Sequence, residues 1–240
     1  MNRITIEEYI KNANEGDKKV INYSENNVIT LIGKIVSERR FSHEVYGEGF
    51  YIFDLEVPRL SDNSDIIPVT VSERILTDEY QIGTKIKIDG QFRSYNNYEN
   101  EKNKLVLTVF VKDIKLVEES DENSNPNEII LNGFICKKPI YRTTPFGREI
   151  SDILLAVNRA YNKSDYIPCI SWGRNARYCQ NLEVGENIKI WGRIQSRQYE
   201  KKFEDGTSEI RRAYEVSVCK MEAPKEEKEI HENEAEEQNA

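Results

Sequence analysis

Four aromatic residues in the second half of the chain are interleaved with basic residues. The aromatic residues are Tyr161, Tyr166, Trp172 and Tyr199. The accompanying basic residues are Arg142, Arg159, Lys163, Arg174, Arg193, Arg197, Lys201, Lys202, Arg211 and Arg212. Aromatic rings stack on nucleobases for roughly 1–3 kcal/mol per base, and Lys and Arg side chains neutralise phosphates. This combination favours a surface that binds a single strand of nucleic acid.

An alternative interpretation places these aromatic rings in a hydrophobic core. In a β-strand, Tyr166 and Trp172 share one face, and the core takes either that face or the opposite one. An earlier and similar segment of the chain has Ser72 where Trp172 stands. It also has Ser61 where Tyr161 stands. A core position rarely accepts both Trp and Ser, because the difference in volume would leave a cavity. The comparison therefore favours exposed rings.

A basic hairpin is predicted over residues 199–212. Asp205-Gly206 is typical of a tight turn, and two Lys precede it while two Arg follow it. These four basic residues either form an arm that closes on a bound strand or simply face solvent. Trp191, which stands between Ile190 and Gly192, is instead expected to pack inside the protein or at an interface.

The distribution of charge decides whether a nucleic acid is a plausible partner. The whole chain has a net charge of −8, which opposes such a partner. Residues 126–221, however, hold 16 Lys and Arg against 11 Asp and Glu, a net charge of +5. Residues 22–119 carry −5, and residues 222–240 carry −6. A phosphate backbone responds to the local field, so the basic segment is the candidate site.

Composition and residue spacing exclude several classes of protein. With 38% hydrophobic residues and a mean hydropathy of −0.69, the chain has no apolar run of membrane-spanning length. It also begins without a signal-peptide pattern, so a soluble cytoplasmic protein is expected. The four cysteines lack the spacing of a zinc site, and no metal or cofactor is expected. The carboxylates of the basic segment are scattered and both histidines lie outside it, so no catalytic site is expected.

The chain contains an internal duplication of β-rich segments with a period of two. Gly33 matches Gly133, and residues 86–90 match residues 188–192, so the offset grows from 100 to 102. Five strands with a short helix between the third and the fourth is the plan of the oligonucleotide/oligosaccharide-binding (OB) barrel. The sequence therefore predicts an all-β protein of two tandem five-stranded OB-fold barrels. It also predicts a short N-terminal helix over residues 3–14 and a disordered acidic C-terminal tail.

The predicted divisions of the chain follow from these patterns. They are an N-terminal helical extension (1–21), a divergent OB-fold (22–119), a polar linker (120–127), a second OB-fold (128–221) and a disordered acidic tail (222–240).

Several short motifs run through most of residues 128–219. They are Asn132-Gly133, Arg142-Thr143-Thr144-Pro145-Phe146-Gly147, Leu155-Ala156-Val157-Asn158-Arg159, Asp165-Tyr166-Ile167-Pro168-Cys169, Trp172-Gly173-Arg174, Val184-Gly185 and Gly192-Arg193-Ile194-Gln195-Ser196-Arg197-Gln198-Tyr199. Together they make this segment similar to the bacterial single-stranded DNA-binding protein family. The resemblance implies a sequence-independent cover for single-stranded DNA in replication, recombination and repair. In that family the stacking aromatics fall at the positions of Tyr161, Tyr166, Trp172 and Tyr199.

The same resemblance implies partners and an assembly. Four barrels form the functional unit of the family, so a chain with two barrels is expected to form a homodimer. Replication and repair proteins are possible further partners, and the implied location is the nucleoid in the cytoplasm. Members of the family usually end in an acidic run with a hydrophobic pair at its tip, which recruits partner proteins. The last residues here lack that pair, so the resemblance does not decide whether they recruit partners.

The first repeat departs from the family pattern. It lacks the Thr-Pro-x-Gly turn, and Ser72-Glu73 replaces Trp172-Gly173. It is therefore either a weak DNA site or mainly an assembly domain. Its candidate stacking residues are Phe41, Tyr46, Tyr51 and Tyr95. For the whole chain, the alternative function is an OB-fold assembly or structural module with weak or RNA-directed binding.

Overall fold

A computed structural model describes residues 26–99, 102–121, 124–203 and 206–223. The predicted N-terminal helix and nearly all of the predicted acidic tail lie outside these residues. Within them the chain is mostly β-strand, with little helix. No helix of this part of the chain is long and apolar enough to cross a membrane.

Two successive groups of strands build the molecule. The first group consists of β1 (Asn27–Ile35), β2 (Arg40–Val45), β3 (Glu48–Pro58), β4 (Ser64–Ser72), β5 (Lys85–Glu99) and β6 (Lys102–Leu116), with a 3-10 turn at Glu73–Ile75. The second group consists of β7 (Asn127–Thr143), β8 (Glu149–Arg159), β9 (Lys163–Trp172), helix α1 (Arg174–Cys179), β10 (Asn187–Lys202) and β11 (Ser208–Glu222). We refer to the two groups as the first and the second barrel.

The strand register confirms the offset that the sequence predicts. Ile29 of β1 pairs with Gly90 of β5, and Ile129 of β7 pairs with Gly192 of β10, so the offset is 100 in one strand and 102 in the other. Each barrel also contains the parallel contact that an OB barrel requires, β4 with β6 and β9 with β11. The prediction of two OB-fold barrels in tandem is confirmed.

A glycine repeated in both barrels lets the first strand lie close to its partner strand, β1 to β3 and β7 to β8. A Cβ at Gly33 would lie 2.5 Å from the carbonyl oxygen of Glu56, and one at Gly133 would lie 2.6 Å from that of Ala156. Any side chain here would push the strands apart, so glycine is required at both positions for close approach rather than for a special backbone angle.

The two barrels differ in their first strand and their helix. In the second barrel β7 is one continuous strand, whereas the equivalent part of the first barrel is divided into β1 and β2. No strand is predicted from the sequence at β2, since all six of its residues are exposed and no buried face marks it. The predicted short helix is present in the second barrel as α1, whereas the first barrel has only the 3-10 turn.

Each barrel has an apolar interior that is filled by alternate residues of its strands. Phe53, Leu55 and Val57 of β3 are fully buried, and so are Leu155 and Val157 of β8. Their neighbours in sequence point outward, as the period of two predicts. The predicted linker is partly packed, because Asp121 is buried and forms an ion pair with Lys87 at 2.7 Å.

Antiparallel pairing of β1 with β7 joins the barrels into one sheet. Ile29 lies opposite Ile129, at the centre of this pairing. The order β10-β7-β1-β5 then places a strand pair from each barrel on either side of a pseudo-two-fold axis. Matching main-chain hydrogen bonds flank the pairing, from Ile32 N–H to the Pro126 carbonyl (2.8 Å) and from Asn132 N–H to the Asn26 carbonyl (2.7 Å).

Two buried aspartates extend this junction, one on each side of the axis. Asp65 accepts hydrogen bonds from the guanidinium of Arg59 and from the main-chain N–H of Ser196 in the other barrel (2.7 Å). Asp165 accepts one from the main-chain N–H of Ser94 (2.8 Å). Both carboxylates are fully buried. The hydrogen bond to Asp65 raises the pKa of Arg59, whereas burial raises the pKa of Asp165.

We expect Asp65→Asn to destabilise the protein much more than Asp165→Asn. The first change removes the charge that Arg59 is bound to, and breaking a buried ion pair costs about 3–5 kcal/mol. The second change leaves the Ser94 hydrogen bond possible and removes a charge that burial disfavours; it also unpairs Arg159, but that contact at 3.3 Å lacks the alignment of a hydrogen bond, so we expect a smaller cost. Urea unfolding measures both free energies, with the exposed Asp62→Asn as the control. Equal losses for Asp65→Asn and Asp165→Asn would contradict the assignment.

Candidate nucleic-acid interface

The outer face of β9 carries two of the predicted stacking residues. Ile167 and Cys169 point into the barrel, whereas Tyr166 and Trp172 point outward with exposed fractions of 44% and 38%. The alternation of the strand therefore resolves the two possibilities that the sequence leaves open. The aromatic rings lie on the surface, and burial raises the pKa of the inward Cys169 thiol so that it stays protonated.

Tyr161 lies at the tip of the turn between β8 and β9. Its side chain is 94% exposed, and both Tyr161 and Asn162 adopt positive φ angles, of 62° and 54°. A left-handed conformation costs a residue with a side chain roughly 1–2 kcal/mol, and such strain clusters at functional sites. The turn thus holds an aromatic ring in solvent.

Tyr199 lies where the β10–β11 hairpin extends beyond the barrel. The two strands stay paired as far as Lys202 and Ser208, as the predicted arm requires. The guanidinium of Arg197 lies 5.9 Å from the Tyr199 ring. Phe203, which the sequence analysis does not single out, lies between Lys201 (5.5 Å) and Arg211 (5.6 Å). The arm therefore presents aromatic rings with cations stacked against them.

The predicted phosphate-binding residues fall into two groups. One group already pairs with carboxylates: Arg142 with Asp152, Arg159 with Asp165, Arg193 with Asp65, Arg197 with Glu215 and Arg211 with Glu209. The other group forms no ion pair with any described residue: Lys163, Arg174, Lys201, Lys202 and Arg212. The second group has its full charge available for phosphates, whereas a phosphate would compete with a carboxylate at each member of the first.

Phe146 is a further exposed aromatic residue of the second barrel. It lies at the tip of the β7–β8 hairpin with an exposed fraction of 92%. The tip is a tight turn in which Gly147 has a φ of 76°. The signal for this residue was present in the sequence, since Phe146 stands between a proline and the glycine that marks the turn.

Trp191 belongs to β10 and not to the outer face of β9 that carries Tyr166 and Trp172. It is half-buried on the outer face of β10, opposite Ile130 of β7. Lys189 and Lys220 approach its ring at 5.2 and 4.5 Å. The packed or interface role of Trp191 therefore stays a prediction.

Among the residues whose side chains are described, the first barrel has no aromatic face like that of β9. Ser72 occupies the place of Trp172, is buried, and donates a hydrogen bond to Glu48. Glu48 in turn pairs with Arg74, so this end of the first barrel is occupied by its own side chains. Its hairpin nevertheless exposes Phe41 and Tyr46, with Phe41 in edge-to-face contact with Tyr51. Tyr95 lies elsewhere, on β5 next to the junction, and is 46% exposed.

Comparison with known proteins places the second barrel among single-strand binding proteins. The profile of the Single-strand binding protein family matches residues 126–223. Single-stranded DNA-binding protein B of Bacillus subtilis is 34% identical over 84 residues, which are 31% of this chain and 72% of that protein. The single-stranded DNA-binding protein of Clostridium tetani is 39% identical over 88 residues, 34% of this chain and 59% of that protein.

Other comparisons concern length and fold. Against the first curated relatives, the chain spans 48% to 59% of their length. A crystal structure of the single-stranded DNA-binding protein from Thermus aquaticus superposes with a TM-score of 0.64 at 19% identity, covering 82% of this chain and 92% of that one. That coverage is about twice the length of the family match, so the likeness of fold extends over both barrels.

We expect Trp172→Ala to leave the fold nearly as stable as before. The ring lies on the outer face of β9, so its loss creates no internal cavity, and the cost should stay below about 2 kcal/mol. Phe53→Ala, at a fully buried aromatic position, is the matched control and should cost about 3–5 kcal/mol. Urea unfolding compares the two variants. A similar loss for both would mean that Trp172 is part of the core.

Proposed function

Because this chain belongs to the single-strand binding protein family, we propose that it binds and protects single-stranded DNA independently of sequence. Bases stack on Tyr161, Tyr166, Trp172 and Tyr199, and Lys and Arg side chains contact the phosphates. The observation that carries this proposal is the outer face of β9, where Tyr166 and Trp172 face solvent. No chemical step is involved, and the protein acts in replication, recombination and repair as a binding protein rather than an enzyme.

The arrangement of charge supports a single strand rather than a duplex as the ligand. Exposed rings on a strand and on a hairpin arm need unpaired bases as partners, since the bases of a duplex are already stacked. Lys163, Arg174, Lys201 and Lys202 are exposed around these rings. These residues are the first candidates for phosphate contacts, followed by the arginines that pair with carboxylates. The DNA-bound protein is expected in the cytoplasm, at the nucleoid.

A homodimer with four barrels is the proposed assembly. The outer face of the joined sheet supports it, because this face exposes apolar side chains between charged ones. Val28 of β1 is 39% exposed, and Ile130 and Trp191 are half-buried there. Burying this face against a second copy would remove the three side chains from water.

The acidic end of the chain remains a candidate for partner contacts or for competition with DNA.

We expect Trp172 to report strand binding through its fluorescence. Trp172 and Trp191 are the only two tryptophans, so Trp191→Phe leaves Trp172 as the sole reporter and Trp172→Phe leaves Trp191. Oligo(dT) should quench the first variant strongly, and a duplex of equal length should quench it little, because only unpaired bases stack on the ring. The second variant should respond weakly to both ligands.

The affinity measurements of the same titrations separate the candidate functions. Replacing both Trp172 and Tyr199 by Ala should weaken binding of oligo(dT) by about 2–6 kcal/mol, and affinity should fall as salt rises. Unchanged affinity in this double variant would overturn the site. Tighter binding of oligo(U) than of oligo(dT) would favour the RNA-directed alternative, and no binding of either would favour an assembly module.

We expect Val28→Glu to convert the dimer into a monomer. A carboxylate at this position would be buried between two copies without a partner, which costs several kcal/mol. Val45→Glu is the matched control, since Val45 is 44% exposed on β2, outside the joined sheet face. Sedimentation equilibrium at micromolar concentration measures both masses. A monomeric unmodified protein, or a dimeric Val28→Glu variant, would contradict this assembly.

A further inference from the structure

The first barrel touches the second at the residue that begins its aromatic face. Ser94 of β5 donates its main-chain N–H to Asp165 at 2.8 Å. Its hydroxyl accepts a hydrogen bond from the main-chain N–H of Tyr166 at 2.7 Å. The residue after Ser94 is Tyr95, which is 46% exposed, and Tyr166 is 44% exposed. The hydrogen bond between Ser94 and Tyr166 therefore holds Tyr95 of the first barrel near Tyr166 of the second.

Two arginines lie near the single carboxylate at this junction, and only Arg159 forms an ion pair with it. Arg159 Nε lies 3.3 Å from Asp165 Oδ2, without the alignment of a hydrogen bond. The Nε atoms of Arg93 and Arg159 and the Oδ2 atom of Asp165 all lack a hydrogen-bond partner among the described residues. Burial, and next the charge of Arg159, lower the pKa of Arg93. The cluster thus holds one positive charge more than its carboxylate neutralises.

The equivalent junction on the other side of the axis is complete. Arg59 donates to both oxygens of Asp65, at 2.8 and 2.5 Å, and also to the carbonyl oxygen of Ser196 at 3.2 Å. A second arginine, Arg193, lies 3.5 Å from Asp65 as well, so the difference between the junctions is in hydrogen bonding: Asp65 has no unpartnered oxygen among the described residues, whereas Asp165 does. The positions that correspond to Tyr95 and Tyr166 are Arg197 and Ile66, so no aromatic pair forms there. The fold therefore does not require the unsatisfied cluster or the tyrosine pair that the junction at Asp165 contains.

We propose that Arg93 and Tyr95 of the first barrel complete the strand-binding surface of the second, with one phosphate on the Arg93–Arg159 pair and one base on Tyr95 beside Tyr166. This inference rests on the proposed function and adds a ligand contact that crosses the junction. Arg93 and Arg159 are half-buried residues whose Nε atoms are enclosed, so a bound phosphate would contact their terminal nitrogens from the solvent side. Half-buried guanidiniums lose less of their attraction to screening than exposed lysines.

A purely structural role for Arg93 makes different predictions. Its guanidinium also packs over the ring of Phe110 at 3.8 Å and donates to Gln91 at 2.8 Å. If these contacts are its whole role, Arg93→Gln changes the stability of the protein and leaves DNA affinity unaltered. If Arg93 holds a phosphate, the salt dependence of binding changes as well.

The first experiment measures oligo(dT) affinity of Arg93→Gln across a range of salt concentrations. We expect a loss of roughly threefold to tenfold at low salt and a decrease of about 0.7 in the slope of log affinity against log salt, the value for one phosphate on a single strand. Arg74→Gln is the matched control, because Arg74 lies on the same barrel, is exposed and pairs with Glu48. Thermal unfolding of both variants separates stability from binding. An unchanged slope for Arg93→Gln would overturn the phosphate contact.

The second experiment replaces Tyr95 by Ala and by Phe. We expect Tyr95→Ala to bind oligo(dT) roughly tenfold more weakly and Tyr95→Phe to retain most of the affinity, because the aromatic face and not the hydroxyl contacts the base. Leu60→Ala, at a fully exposed residue of the turn between β3 and β4 in the first barrel, should bind like the unmodified protein.

The outcomes separate this inference from the proposed function. If the Trp172 and Tyr199 double variant loses affinity while Tyr95→Ala does not, the junction contact is wrong and the proposed function stands. If the unmodified protein does not bind oligo(dT), both are wrong.

Discussion

Main-chain pairing between β1 and β7 is the interaction on which the rest of the molecule depends. It turns two barrels into one sheet and fixes the position of each relative to the other. The buried contacts Asp65–Ser196 and Asp165–Ser94 follow from that pairing, because each joins residues that only the shared sheet brings together. Contacts from the first barrel therefore help to position the aromatic face of β9, although Tyr166 and Trp172 on that face belong to the second barrel.

The two barrels share a backbone and differ in what they place on it. Where the second barrel exposes Trp172, the first buries Ser72 under a bond to Glu48. The two barrels also differ in charge. Residues 22–119, which contain the first barrel, carry a net charge of −5, and residues 126–221, which contain the second, carry +5. A fold of this kind tolerates such divergence because the outer face of a strand can change without altering the core that its other face fills.

The duplication made the architecture predictable. Offsets of 100 and 102 between matching residues reappear as strand register, and the contrast between Ser72 and Trp172 correctly indicates which face of β9 is exposed. The sequence does not reveal β2, whose residues are all exposed, or the carboxylates that pair with several of the predicted phosphate-binding arginines. Asp65 and Ser196 are 131 residues apart, and no local pattern predicts a contact over such a distance.

Covalent fusion of two barrels around a pseudo-two-fold axis has a consequence for directionality. A nucleic-acid strand runs from a 5′ end to a 3′ end, whereas two identical barrels related by a true two-fold axis present the same surface to either end. In this chain the junction at Asp165 carries Tyr95 and Tyr166, and the junction at Asp65 carries Arg197 and Ile66. A strand lying across both junctions would meet different side chains at each, so its two possible directions would no longer be equivalent.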